Sequence, residues 1–322
     1  MKPTIRDVAK KANVSVSTVS RVVNQKGYVH EETKVLVNDV IKQLGFVPNQ
    51  LARSLTSRSS KIIGVIVPHI GPSFYGELLE GIESQASAYG YKIMFCHTQD
   101  DPNREAEYLS FFEQYNIDGL IIASNFSSKD KLLEINIPVI TVDHILDETI
   151  PSITSDNVKG GQLAAQKLLR NGRKKLILFR GPSFLLTTME RTMGFLNEIK
   201  KEGLFAEIFD FDLINPDVTL MEEILKNNEF DGIFAFSDTL AFSASNILQR
   251  MGKKIPHDVS LIGFDDIPYS NWIIPSLTTV HQSVRLMGKQ SFINLTRLIR
   301  GVELDSLHDI IDVNLIERET TT

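Results

Sequence analysis

The chain has 322 residues, 42% of them hydrophobic, and a formal net charge of −6; that length predicts two or three compact units rather than one. The charge is unevenly held: residues 1–61 carry 11 Lys and Arg against 4 Asp and Glu, a net of +7, and the remainder carries 23 against 36, a net of −13. Cys96 is the only cysteine, which excludes an intramolecular disulfide framework and a thiolate metal cluster, and no apolar run reads as an export signal or a membrane span, so a soluble cytoplasmic protein with no membrane partner is expected.

The basic head opens with two short helices and a tight corner between Thr4 and Asn24. Thr4 and Asp7 cap the first helix and place an acid in its first turn. Ala9 and Ala12 are small where two helices nearly touch, and Asn13 suits a left-handed corner. Ser15 caps the second helix, Val19 and Val23 are expected to face the core, and Ser17, Thr18 and Arg21 to point outward. The pattern is a helix-turn-helix whose second helix is shaped for a DNA major groove. A plain helical hairpin fits less well, because the outward face carries short hydrogen-bonding side chains and one Arg in a basic segment.

A third helix is expected over Glu31–Leu44, with Val35, Leu36, Val40 and Leu44 at helical spacing and Gly45 ending it. Tyr28, in the turn before it, either reaches a base edge or phosphate or packs on that helix. Pro48 breaks the chain, and Asn49–Leu55 has a capping Asn and good helix formers but is too short to stand alone. A polar linker, Thr56–Ser60, follows. Leu51 and Leu55 either make ordinary linker packing or supply an apolar wedge in the minor groove, with Arg53 near phosphates.

From Lys61 strands and helices alternate. Apolar runs at 62–68, 92–98, 119–124 and 138–143 read as buried parallel strands, with helices at 74–89, 102–115 and 156–171. A second series has strands at 176–181, 208–211, 232–236 and 259–264 and helices at 187–202, 217–227 and 239–251. Asp118-Gly119-Leu120-Ile121 is echoed by Asp231-Gly232-Ile233-Phe234, as two similar lobes require. The expected fold is α/β: a three-helix head, a hinge helix and a two-lobed body of parallel sheets. Such sheets bind ligands beyond the carboxyl ends of their strands, and two facing lobes make a cleft.

Catalytic motifs are missing. There is no phosphate-binding Gly-Lys-Ser/Thr loop, no Gly-x-Ser-x-Gly, no Gly-x-Gly-x-x-Gly and no His-Glu-x-x-His, so neither an enzyme nor a cofactor or metal is expected. The strand ends instead carry a binder's set. Asp143, Asp238 and Asp265 accept from hydroxyls, Arg191 donates, and Phe74, Phe211 and Trp272 offer flat apolar faces. Together these suit a sugar, although singly Arg191 also reads as a surface residue, Phe211 as core and Asp238 as a helix cap.

Seven segments in order resemble the lactose/galactose-repressor family of bacterial transcription regulators: Thr4–Asn24, 45–55, 63–66, 118–121, 191–195, 255–266 and 275–280. The resemblance implies a periplasmic-binding-protein-like body and a homodimer on a near-palindromic double-stranded operator. It implies DNA contacts from Ser15, Val16, Ser17, Thr18, Arg21, Asn24 and Tyr28 in the head and from Asn49, Ala52, Arg53 and Leu55 in the hinge. It further implies that Phe74, Asp143, Arg191, Phe211, Ser237, Asp265 and Gln282 line a cleft for a sugar or sugar-phosphate effector. Ser237 stands where the family frequently has Asn. The implied domains are 1–48, a hinge and linker over 49–60, and a body over 61–322 with lobes at about 61–160 and 161–290 and a C-terminal segment crossing between them. Lys26-Gly27-Tyr28, 74–78 and 101–109 look like sucrose- or ribose-operon repressors. Regulators of this kind answer either to a sugar or to a phosphorylated carrier protein, and a sugar receptor or a sugar-acting enzyme are the other classes weighed.

Overall fold

The computed structural model describes residues 3–24, 27–47, 59–71, 73–124, 132 and 134–321, in two units, Met1–Ser60 and Lys61–Thr322. In the first, α1 (Ile5–Lys11) begins on a reciprocal cap in which Thr4 Oγ1 accepts from the Asp7 amide and Asp7 Oδ2 accepts from the Thr4 amide at 2.8 Å. Asn13 turns the corner with φ 52°. Ser15 Oγ then accepts from the Thr18 amide at 3.1 Å at the start of α2 (Val16–Asn24). The third helix, α3 (Glu31–Leu44), stops on Gly45, whose φ of 61° provides the left-handed cap.

Val8, Ala9, Ala12, Val19, Val22, Val29, Val37 and Val40 form the core of this unit. Two expectations are corrected. Val22 takes the buried position expected of Val23, which packs only at the margin. In α3 the inward row runs Val37, Val40, Ile41 and Leu44, one stripe of a 3.6-residue period. Val35 and Leu36 fall off that stripe and are 58% and 48% exposed. Of the expected hinge and linker over 49–60, only Ser59 and Ser60 are among the described residues.

The second unit holds two six-stranded sheets. One has β1 (Ile62–Val67), β2 (Lys92–His97), β3 (Gly119–Ile122), β4 (Val139–Val142), β5 (Ser152–Ser155) and β11 (His308–Ile311), all parallel, in the order β11-β5-β4-β3-β1-β2. The other has β6 (Leu176–Arg180), β7 (Ala206–Asp210), β8 (Gly232–Ala235), β9 (Ser260–Asp265), β10 (Thr278–Gln282) and β12 (Val313–Ile316), in the order β12-β10-β9-β8-β6-β7, with only β12 antiparallel. Central strands such as β1, β3 and β8 are apolar along their length because helices cover both faces. On the first sheet these are α4 (Ser73–Ala88) and α5 (Pro102–Gln114), joined by α10 (Val284–Ile299). On the second they are α6 (Asn157–Arg170), α7 (Leu186–Lys201), α8 (Val218–Asn227) and α9 (Asp238–Arg250).

The chain passes between the sheets near residues 156, 283 and 312. These passages lie side by side: the Asp156 amide donates to Ile311 O at 2.9 Å, and Lys159 Nζ donates to Asp312 Oδ1 at 2.5 Å. Residues 308–316 are therefore two strands in different sheets, parted at Asp312. In the second lobe, α6 and α7 cross backbone to backbone at glycines. A Cβ on Gly161 would stand 2.2 Å from Arg191 O, and one on Gly194 would stand 2.0 Å from Val158 O. The first lobe repeats the device with Gly81 and Gly288 between α4 and α10. The α6–α7 crossing sets how far Arg191 reaches toward the site described next.

Candidate effector cavity and nucleic-acid interface

A cavity of about 190 Å³ lies between the two lobes of the body, at the carboxyl ends of their strands. The first lobe contributes Pro68, His69, Phe74, Tyr75, Asp100 and Asp143, and the second contributes Phe184, Arg191, Leu213, Ser237 and Asp265. Gln282, where β10 gives way to the passage into α10, also lines it. Six of the seven effector residues expected from the sequence thus meet in one place.

Arg191 is 7% exposed. Its Nε donates to Asn157 Oδ1 at 2.9 Å and its Nη1 to Phe236 O at 2.7 Å, and its Cζ lies 3.6 Å from the centroid of the Phe264 ring. The side chain is locked by these contacts. Burial pulls the guanidinium pKa down, while the carboxylates of Asp265, Asp143 and Glu190 act the other way. Asn157, the first residue of α6, also donates through Nδ2 to Glu190 Oε2 at 3.0 Å, so it orients two neighbours at once.

Three acceptors face this cation. Asp143 ends β4 with φ 66°, and its Oδ1 is buried without a hydrogen-bond partner. Burial pushes its carboxyl up to about 6, against the pull of Arg191. Asp265 ends β9 with φ 111° and accepts from Gln282 Nε2 at 2.7 Å. Burial is the main cause of its raised pKa, and Arg191 again opposes it. Gln282 is 1% exposed, and its Oε1 has no partner. Left-handed backbone at Gln99, Asp100, Asp143, Asp265 and Asp266 concentrates strain around the cavity, as ligand clamps commonly do.

Three residues of the binder's set, Phe211, Trp272 and Asp238, take other positions. Phe211 is corrected from cleft wall to core. Its amide donates to Arg180 O at 2.8 Å, continuing the β6–β7 ladder, which turns its 4%-exposed ring onto Phe179 with centroids 5.2 Å apart. Leu213 and Ile214 line the cavity instead. Trp272 is 69% exposed, packs edge-on against Tyr269 and does not line the cavity.

Asp238 is fully buried beneath the site. It accepts from the Ile267 amide at 2.9 Å, Ser270 Oγ at 2.5 Å and Thr279 Oγ1 at 2.5 Å, tying down the turn that follows Asp265. Ser237 spends its oxygen as the cap of α9, accepting from the Leu240 amide at 3.2 Å and sharing a hydrogen bond with Thr239 Oγ1.

Sequence reasoning missed His69, Tyr75, Asp100 and Asn157. His69 Nε2 and Asp100 Oδ2 are 2.6 Å apart at the ends of β1 and β2, where the strand-end rule would have found them. Tyr75 follows Phe74, and burial together with the charges of Asp143, Asp100 and Asp265 raises its pKa. Asn157 had no such signal, because the polar strand before it was not recognised.

In the head, Ser15, Val16, Ser17 and Arg21 are exposed and Thr18 and Asn24 are half-buried, while Val19 and Val22 of α2 are buried. Ser15 Oγ lies 2.7 Å from Ser17 Oγ and 2.8 Å from Thr18 Oγ1. Tyr28 is 84% exposed, which removes packing on α3 as its role. Asn49, Ala52, Arg53 and Leu55 lie outside the described residues. Among the described residues, no group of His, Cys, Asp and Glu could hold a metal ion, and no helix is long and apolar enough to cross a membrane.

Comparison with known proteins matches the two units in turn. Residues 4–49 match the family of bacterial regulatory proteins named for lacI, and residues 60–319 match the periplasmic binding proteins and sugar-binding domain of the LacI family. The chain belongs to the LacI family. Among its relatives, a ribose operon repressor of Halalkalibacterium halodurans is 38% identical over 321 residues, covering 99% of this chain and 97% of the relative. A sucrose operon repressor of Streptococcus mutans is 36% identical over 282 residues, covering 87% and 88%. The lac repressor dimer bound to operator superposes with a TM-score of 0.90 at 25% identity, covering 100% of this chain and 99% of that one. A LacI-family regulator from Enterococcus faecium with bound ribose gives a TM-score of 0.74 at 26% identity, covering 81% and 98%. This LacI-family chain therefore joins a regulator's DNA-binding head to a body with the sugar-binding fold.

Proposed function

We propose that this chain is a cytoplasmic repressor of a sugar-utilisation operon, and that a sugar held in the cavity lowers its affinity for operator DNA. The observation that carries this reading is the convergence of Arg191, Asp143, Asp265 and Gln282 on one cavity, two of them with unpartnered buried acceptors, in a chain that also carries a helix-turn-helix. Arg21 and the exposed start of α2 read the major groove, and two copies of the chain on a near-palindromic site double the contact. Asn49, Ala52, Arg53 and Leu55, which lie outside the described residues, are proposed minor-groove contacts. The lobes meet through three short passages, so a sugar bridging them biases their relative angle. By linkage, the sugar and the operator weaken one another by a common factor. On this reading the cavity residues bind and orient a ligand, and the chain acts as a regulator rather than an enzyme.

The test is operator binding by fluorescence anisotropy across a sugar panel, for the wild type and Arg191→Ala. The wild type should release DNA with at least one sugar, and the variant should bind DNA normally and ignore every sugar. A variant that still responds would remove Arg191 from the account.

A further inference from the structure

We propose that the effector is an uncharged sugar, read through hydroxyl groups that donate to Asp143, Asp265 and Gln282, and that phosphorylated sugars are excluded from the same cavity. This rests on the sugar-responsive reading above and narrows its ligand class. The argument is a count of donors and acceptors. The buried polar atoms left unpartnered at the cavity are Asp143 Oδ1 and Gln282 Oε1, and both only accept. Asp265 has one oxygen engaged by Gln282 and offers the other. A buried acceptor left unmet costs free energy, so the ligand that completes this site must bring O–H or N–H donors. A sugar hydroxyl donates once and still accepts from Arg191 or Tyr75. A phosphate dianion brings only acceptors.

Charge points the same way. Asp100, Asp143, Asp212 and Asp265 all line the cavity, whereas among the described residues Arg191 is the only Lys or Arg that does. That guanidinium is already committed to Asn157 and the Phe236 carbonyl. The carboxylates of Asp265, Asp143 and Glu190 around it offset its positive charge, so it can meet a neutral hydroxyl but holds little net attraction for an anion. His69, the other cationic candidate, is paired with Asp100. Two further negative charges in this enclosure meet like charges at short range, a juxtaposition that costs enough to weaken binding by about 100-fold or more.

The test is calorimetry on the full chain with matched pairs: ribose and ribose 5-phosphate, fructose and fructose 6-phosphate, glucose and glucose 6-phosphate, galactose and galactose 1-phosphate. At least one free sugar should bind, with its phosphate ester weaker by about 100-fold or more. In Asp143→Asn, which keeps a side chain that tolerates the left-handed backbone, the free sugar should weaken and the gap between sugar and ester should narrow by about 10-fold. An ester that binds as tightly as its parent sugar, or a gap unmoved by Asp143→Asn, overturns the exclusion while the sugar-responsive reading stands. Failure of every free sugar and every ester to bind overturns that reading, and the exclusion with it.

Discussion

Replacing Gly161 with alanine tests whether the α6–α7 crossing places Arg191 in the cavity. The added Cβ would sit 2.2 Å from Arg191 O and 2.8 Å from Phe195 N, backbone atoms that no side-chain rotation can clear. Restoring even a 3.0 Å contact to that oxygen moves the helices apart by 0.8 Å, and an ordinary contact of 3.4 Å requires 1.2 Å. Asn157 rides on α6 and Arg191 on α7, so their 2.9 Å hydrogen bond lies across the widened gap. Overpacking of this kind costs about 3 kcal/mol at its upper end. The better helix propensity of alanine returns about 1 kcal/mol, leaving a net loss near 2 kcal/mol. Displacing the Arg191 hydrogen bond to the ligand should weaken sugar binding by about 10- to 100-fold, the worth of a charged hydrogen bond. Gly76 in α4 is the matched control, since a Cβ there meets nothing within 4 Å. Gly76→Ala should therefore stabilise the chain by about 0.5–1 kcal/mol. Denaturant unfolding and calorimetry with the binding sugar read both quantities. If Gly161→Ala stabilises the chain as Gly76→Ala does, or binds sugar as the wild type does, the crossing does not position Arg191.

Three further outcomes are expected. Burial raises the carboxyls of Asp143, to about 6, and of Asp265, so their contribution to stability is complete below the unfolded carboxylate range and fades as pH rises through the folded values. A hydroxyl donor favours the Asp143 anion, so through this group sugar binding should release protons and tighten by about 10-fold between pH 5 and 7; calorimetry in buffers of different ionisation heat checks this, and proton uptake would contradict it. Asp238→Ala strands three donors beneath the Asp265 turn and should cost about 2–4 kcal/mol in denaturant unfolding, whereas a change under about 0.5 kcal/mol would match an ordinary surface substitution and deny the knot its role. Arg21→Ala, at an exposed position on α2, should weaken operator binding by about 1–3 kcal/mol and leave sugar affinity unchanged, as anisotropy and calorimetry together would show.

The presence of strands was readable where burial on both faces leaves only apolar residues to choose from. Ile62–Val67 and Gly119–Ile122 are such strands. It was unreadable at β5 and β10, whose sequences Ser-Ile-Thr-Ser and Thr-Thr-Val-His-Gln look like loop. Their hydroxyls are buried but satisfied: Ser152 Oγ with His308 Nδ1, Thr278 Oγ1 with Arg318 O and Thr279 Oγ1 with Asp238. Long-range partners of that kind leave no local trace. Asp143 and Asp265 were found because strand ends announce themselves. Phe211 was misplaced because one more ladder hydrogen bond after Asp210 decides which way its ring faces. Nothing periodic separates Tyr75 from Phe74, and only the assembled lobes show both at the cavity. The left-handed Asn13 and the Thr4–Asp7 cap were legible because each is a local preference that packing did not override.

The coupling between head and body is tested most directly by measuring one free energy twice. Operator affinity is titrated with and without saturating sugar, and sugar affinity is titrated with and without saturating operator, on the same preparation. The account predicts that each ligand weakens the other by one shared factor, about 5- to 150-fold. A sugar that binds the cavity while operator affinity stays constant, with sugar affinity equally blind to operator, would contradict it.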